Sequence, residues 1–344
     1  MKTLPSLAAT VIGSVPFPDV NQALDLLAQA CPLLPAWPQM VRVRPREGMV
    51  LQAVDGLPGL EVDEAGGRIR VRLEDREKTL TEFYERFLGG DLEYFGLPEE
   101  VSTGLAPFLR KAEKEPDFGP DFLKAQVIGP ASFGLAVRTP DEKTLLDDPD
   151  LKDATVKGLG AKATWLARRI RATGRTPIIF FDEPGLAGFG SAFSPLDRDQ
   201  VLDLWRQANE IVRSDGEVIT GVHICGNTDW GMVTQAGFDV INFDAFGYLE
   251  QFLLYPADIG AFLGRGGYVA WGLVPTLGFT GRETADDLVR VLNAGIAGLA
   301  AKGLEPDLIR RQSLITPSCG TGPLSEAVAR AVHRLLPQVV GRLR

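Results

Sequence analysis

Residues 156–184 read VKGLGAKATWLARRIRATGRTPIIFFDEP. Val156, Leu159, Ala163, Leu166 and Ile170 recur at alternating intervals of three and four, which places them on one face of a helix. Asp148-Pro149 stands ahead of that pattern as a helix start. Pro177–Phe181 (PIIFF) then forms a short apolar run, as a strand buried on both faces does, and it ends on the carboxylates Asp182 and Glu183. A helix, a buried strand and a polar strand end make one α/β unit.

The same unit recurs along the chain. Eight apolar runs follow in order: Ala9–Gly13, Leu92–Phe95, Ala125–Ile128, Pro177–Phe181, Val218–His223, Val240–Phe243, Tyr268–Leu273 and Ser313–Thr316. Further helical stripes lie at Val201–Val212, Leu288–Leu299 and Leu324–Leu335. Strand and helix alternating about eight times predict a single-domain (β/α)8 TIM barrel over residues 1–344. An open doubly wound sheet is the competing fold, but no GxGxxG stretch follows the first strand. Val62–Leu73 (VDEAGGRIRVRL) predicts a β-hairpin around Gly66-Gly67, inserted between the first two strands. That insertion accounts for 344 residues where a barrel takes about 250.

Composition narrows the function classes. Apolar residues are 45% and charged residues 24% of the chain, ordinary for a globular enzyme. A net charge of −9 makes nucleic acid and anionic membrane poor partners. No run approaches the ~20 apolar residues of a membrane span, and the broken apolar stretch at the N-terminus is a weak signal peptide. Three cysteines are too few for a disulfide framework and suit a reducing, cytoplasmic setting.

In a barrel the chemistry sits where strands end. Reading past each run gives Gly13-Ser14, Gly129-Pro130, Asp182-Glu183-Pro184, His223-Ile224-Cys225-Gly226, Asp244 and Pro317-Ser318-Cys319-Gly320. Two of the three cysteines and one of the two histidines thus fall at equivalent ends of separate strands. His223 and Cys225, two apart on an extended chain, point to one side. Imidazole and thiolate are the ligands Zn²⁺ prefers, so His223, Cys225 and Cys319 form a candidate zinc set, with Asp244 a candidate fourth ligand. Two thiolates and a neutral imidazole cancel the charge of Zn²⁺. That electron-rich balance suits alkyl transfer to a metal-activated thiol better than hydrolysis. Bland readings stand beside this one: buried Cys is commonly core filler, as for Cys31, and Ser14 is equally a helix cap. His333 reads as a solvated or packing residue, and Arg42/Arg44/Arg46 as a solvated strand face or an anion site.

At these residues the chain resembles the superfamily of barrels that holds the catalytic domain of cobalamin-independent methionine synthase and uroporphyrinogen decarboxylase. Ile12-Gly13-Ser14, Ile128-Gly129-Pro130, Phe181-Asp182-Glu183-Pro184, His223-x-Cys225 and Cys319 match the family's landmarks in order. HICGN also resembles the zinc motif of corrinoid-dependent thiol methyltransferases. The resemblance implies that Gly13, Ser14 and Asp182 hold an amino-acid thiol, Asp182 at the amino group, with Glu183 assisting. It implies that His223, Cys225 and Cys319 hold zinc.

The chain departs from the family where a Glu ligand is replaced by Asp244. It departs again at Trp271–Thr276 (WGLVPT), which has no counterpart of the histidine that protonates a folate leaving group. The family's additional N-terminal half has no room in this sequence. The resemblance, with these departures, leads to an expected zinc-dependent methyltransferase acting on homocysteine, with a methylated corrinoid protein as donor. A coenzyme M-type thiol acceptor and a metal-free, uroporphyrinogen decarboxylase-like reaction are the alternatives.

Overall fold

The computed structural model describes residues 2–64, 66–190 and 196–343. Its strands are β1 (Ala8–Ala9), β2 (Leu60–Asp63), β3 (Arg68–Val71), β4 (Phe122–Ile128), β5 (Thr176–Asp182), β6 (Ile219–Ile224), β7 (Val240–Phe243), β8 (Tyr268–Val274) and β9 (Ser313–Pro317). Seven of them form one parallel sheet in the order β1-β9-β8-β7-β6-β5-β4, so from β4 to β9 neighbours in the sheet follow one another along the chain, and the first strand, β1, pairs with the last. Every residue of β4, β5, β6, β7 and β9 is buried. Near-continuous apolar runs are the consequence, because helices cover one face and the curled sheet encloses the other.

The sheet curls. Ala8, Phe122, Ile178, Ile219, Val240, Ala270 and Leu314, one from each strand, pack in a single apolar cluster, which places them on the concave face. The outer face packs on helices. Helix Pro149–Arg171 starts where Asp148 accepts the N–H groups of Asp150 and Leu151, and it buries the Val156, Leu159, Ala163, Leu166 and Ile170 face. Helices Arg198–Ser214, Ala285–Ala300 and Glu326–Leu343 carry the other stripes, although Leu324 lies ahead of the last one.

Two expectations need correction. Leu92–Phe95 is a 3₁₀ turn, with Asp91 accepting from Tyr94 N, and it contributes no strand. β1 holds two ladder residues, although the backbone continues alongside β9 through Thr10 N–Ile315 O at 3.0 Å. The space between the sheet edges is taken by residues 35–39 (PAWPQ). Trp37 N donates to Lys124 O and Lys124 N to Pro35 O, both at 2.9 Å. Gln39 N donates to Gly13 O and Val15 N to Gln39 O, both at 3.0 Å. Pro35 and Pro38 lack N–H groups, so this segment forms single bridges to its neighbours and no regular eighth strand.

β2 and β3 pair antiparallel with Leu60 opposite Val71 and Asp63 opposite Arg68. Gly67, at φ +59°, supplies the left-handed residue of their turn. Among the described residues no helix is long and apolar enough to cross a membrane.

Candidate metal centre

Parallel strands bring all their C-terminal ends to one rim. β6 presents His223 in its last two residues and Cys225 just beyond, and the turn after β9 presents Cys319. His223, Cys225 and Cys319 place one ligand atom each within 4.8 Å of the others, so the three can share an ion. They also line a cavity of about 370 Å³ together with Ser14 and Asp182.

The histidine is set up as a ligand. Its Nδ1 lies 2.5 Å from Asn242 Oδ1. The Asn242 amide is oriented by its Nδ2, which donates to Ala270 O and Thr316 Oγ1 at 2.8 Å each. The oxygen therefore faces the imidazole, Nδ1 carries the proton, and Nε2 keeps its lone pair. That Nε2 is buried and has no hydrogen-bond partner among the described residues. A buried, unpartnered imidazole nitrogen beside two thiols is what a metal ligand looks like before the metal is added, since leaving it unsatisfied is otherwise costly. The donor set thus fits Zn²⁺.

The sulfurs are unequal. The Cys225 thiol is pushed down to about 4, chiefly by the Cys319 thiol at its sulfur and next by His223 beside it. Cys319 is pushed up, chiefly because it donates the shared proton to Cys225. One proton held between two sulfurs is readily displaced by a divalent cation.

Asp182 is 6% exposed, and its Oδ1 has no partner among the described residues. Burial raises its carboxyl to about 6, opposed by the neighbouring His223 and Lys124. Lys124 is buried beneath it, donating to Ile12 O at 2.7 Å and to Gln126 Oε1 at 3.3 Å. The loop that carries Ser14 is fixed from several sides. Gly13 sits at φ +144°, where a Cβ would lie 2.2 Å from Gln126 Nε2. Thr321 N and Oγ1 both donate to Ser14 O, at 2.9 and 3.1 Å.

Other expected residues are placed differently. Glu183 is fully buried but does not line the cavity. Its carboxylate accepts from Ser132 N at 2.7 Å, Ala131 N at 3.3 Å and Trp205 Nε1 at 2.7 Å. Burial raises it to about 7 against those hydrogen bonds. These bonds hold the start of helix Pro130–Ala136 against the end of β5. Asp244 stays outside the three-residue metal group and caps helix Ala245–Phe252, its Oδ1 accepting from Gly247 N at 2.8 Å. Cys31 is core filler, its thiol donating to Leu27 O at 3.1 Å and pushed up to about 12 by burial. His333 is 2% exposed, not solvated, with Nε2 3.1 Å from Thr321 Oγ1.

Sequence reading missed the wall of the cavity contributed by residues 39–49, where Gln39, Val41, Arg42 and Met49 line it. The Arg42/Arg44/Arg46 run is the signal that pointed there. It also missed Asn242, visible only as the polar residue in an otherwise apolar VINF strand.

No family model and no curated sequence matches the chain. Among solved structures it is similar to a B12-independent methionine synthase from Shewanella sp. W3-18-1, determined in complex with selenomethionine. The two agree with a TM-score of 0.59 over 98% of each chain, at 17% sequence identity. At that identity the likeness is one of fold: a curled parallel α/β sheet of the barrel kind.

Proposed function

We propose that this protein is a zinc-dependent methyltransferase that methylates a thiol, with homocysteine the acceptor that fits best and methionine the product. The observation that carries the reading is the convergence of His223, Cys225 and Cys319 on one point of a cavity that Ser14 and the unpartnered Asp182 Oδ1 also line. Bound zinc would lower the pKa of an acceptor thiol while leaving its sulfur nucleophilic. The likeness in fold to a methionine synthase agrees with this reading and does not by itself carry it.

The chain's own residues divide the remaining work. Asn242 holds His223 in the tautomer that offers Nε2. Asp182 presents a carboxylate oxygen to the acceptor's ammonium group, in a buried place where the pairing is strong. Ser14, held by Thr321, presents a hydroxyl. Cavity walls such as Ile12, Val41 and Pro184 exclude water from the sulfur.

The donor is read from the acids available. The chain has two histidines; His223 is in the metal group and His333 is buried against Thr321. Neither imidazole is free to protonate an amine leaving group, so a donor whose leaving group needs no proton, a methylated corrinoid on a partner protein, is preferred. The decarboxylase alternative loses ground because only Arg42 of the arginine run lines the cavity.

The test is metal analysis of the purified protein, with methyl transfer from methylcobalamin, a methylated corrinoid protein and methyltetrahydrofolate to homocysteine and coenzyme M. Stoichiometric zinc with methylation of homocysteine is expected. Activity in metal-free protein would refute the reading, and transfer from the folate alone would refute the donor.

A further inference from the structure

The three arginines of VRVRPREG have three different fates. Arg46 donates through Nη2 to both carboxylate oxygens of Asp55, at 2.6 and 2.7 Å. Arg42 and Arg44 are both exposed, but Arg44 does not line the cavity. Arg42 lines the cavity, and its guanidinium is anchored by main-chain carbonyls: Nε to Gly322 O at 3.4 Å, and Nη2 to Pro323 O and Leu324 O at 3.2 Å each. These partners are neutral. Among the described residues no carboxylate lies within ion-pair distance of Arg42 and its Nη1 makes no hydrogen bond, whereas Arg46, two residues on, has a full counter-ion.

A guanidinium held in place by dipoles, with no counter-ion, facing a largely apolar cavity, is a positioned positive charge. The same cavity presents the reverse charge at Asp182, whose Oδ1 is buried without a partner. The two groups, with the sulfur-binding corner at Cys225 and Cys319, give the cavity three chemically distinct contacts: one for an ammonium, one for an anion, one for sulfur. Ser14 alone offers a neutral hydroxyl and does not balance a carboxylate.

We propose that Arg42 is the anion-recognition residue of this cavity and selects ligands that carry a carboxylate, so that the acceptor class is a zwitterionic amino-acid thiol and not a neutral thiol. The inference rests on the thiol-methylation reading for its sulfur contact, but the anion contact stands on Arg42 itself. Nη1 and the outer edge of the fork reach the carboxylate, while Nε and Nη2 keep their hold on the loop at residues 322–324. A lysine at this position keeps the charge and loses the fork that grips the loop.

The probes are L-methionine and L-methioninamide, which share the thioether and the ammonium group and differ in the carboxylate. Each is titrated calorimetrically into wild-type protein and into the Arg42→Gln and Arg42→Lys variants, with folding checked by circular dichroism. Wild type is expected to prefer methionine. Arg42→Gln should weaken methionine about fivefold and leave methioninamide unchanged, the exposed position of Arg42 moderating the effect. Arg42→Lys should fall between. Equal weakening of both ligands, which a merely structural arginine would produce, overturns the proposal. So does unchanged methionine affinity in Arg42→Gln, or absence of methionine binding by wild type. A protein that shows the expected ligand preference yet methylates no thiol would refute the methyltransferase reading and leave the anion site standing.

Discussion

Asn242 Oδ1 sits 2.5 Å from His223 Nδ1, and the Asn242 amide is itself locked by Ala270 O and Thr316 Oγ1. The proton on one side of the imidazole therefore depends on two groups contributed by β8 and β9. Replacing Asn242 by Ala removes the acceptor that fixes the tautomer. Zinc affinity is expected to fall roughly 10–100-fold, the range typical for loss of a ligand's outer partner. Competition against a chromophoric chelator measures it. Unchanged affinity would show that Asn242 does not orient the ligand.

Cysteine replacements separate the metal group from the core. Cys225→Ser and Cys319→Ser each remove one of three convergent donors and should abolish stoichiometric zinc, with loss of any methyl transfer. Cys31→Ala should keep zinc, because that thiol is buried against Leu27 O and is not one of the convergent donors. It should cost about 1 kcal/mol or more in stability through the small cavity it leaves. Zinc analysis and urea unfolding on the same three variants give the comparison, and retained zinc in both Ser variants would end the case for the site.

The repeating unit of sequence located the ladder strands from β4 onward because buried parallel strands have no polar face to disguise them. The strand-end rule then placed His223, Cys225, Cys319, Ser14 and Asp182 on one cavity. It brought Glu183 and Asp244 to the same rim without fixing their direction, because a strand end offers two: inward to the cavity, or across to the N–H groups of an adjoining helix. Both carboxylates took the second, Glu183 toward Ala131 and Ser132, Asp244 toward Gly247. The segment PAWPQ was illegible for another reason. Its two prolines mark it as a non-strand, and it reaches Lys124 and Gly13 by isolated hydrogen bonds that carry no periodicity. Apolar LEYF was mistaken for a strand because four residues cannot distinguish a strand from a 3₁₀ turn.

His333 should make the fold acid-sensitive. Burial pushes its imidazole from the ordinary value of 6.5 down to about 4. Above 6.5 both folded and unfolded chains hold it neutral, so it carries no penalty there. Below 6.5 the unfolded chain takes up a proton that the folded chain refuses until about 4. Stability is thus lost as pH falls across that window, by about 2 kcal/mol at pH 4.5. His333→Gln keeps a partner for Thr321 and removes the titration. Urea unfolding of metal-free protein at pH 7 and 4.5 should show a smaller acid loss in the variant, and equal losses would contradict the assignment. Metal-free protein is needed because acid release of zinc adds its own destabilisation.

Gly320 provides the most selective probe of Ser14. It is the residue after Cys319, and a Cβ built on it would lie 2.1 Å from Ser14 Oγ. The Ser14 hydroxyl is the end of a one-carbon side chain, so a methyl at position 320 forces a rotamer change without requiring the backbone to move. Gly320→Ala should therefore keep the fold and the zinc, whose donors are untouched, while turning the hydroxyl away from the cavity. If that hydroxyl holds the acceptor, KM for the thiol rises about fivefold or more while zinc content stays constant, as expected for one lost hydrogen bond. Ser14→Ala alone should give a similar KM. The double variant should be no worse than either single one, since both remove the same contact. Additive losses would show that Gly320 acts on Cys319 and not through Ser14.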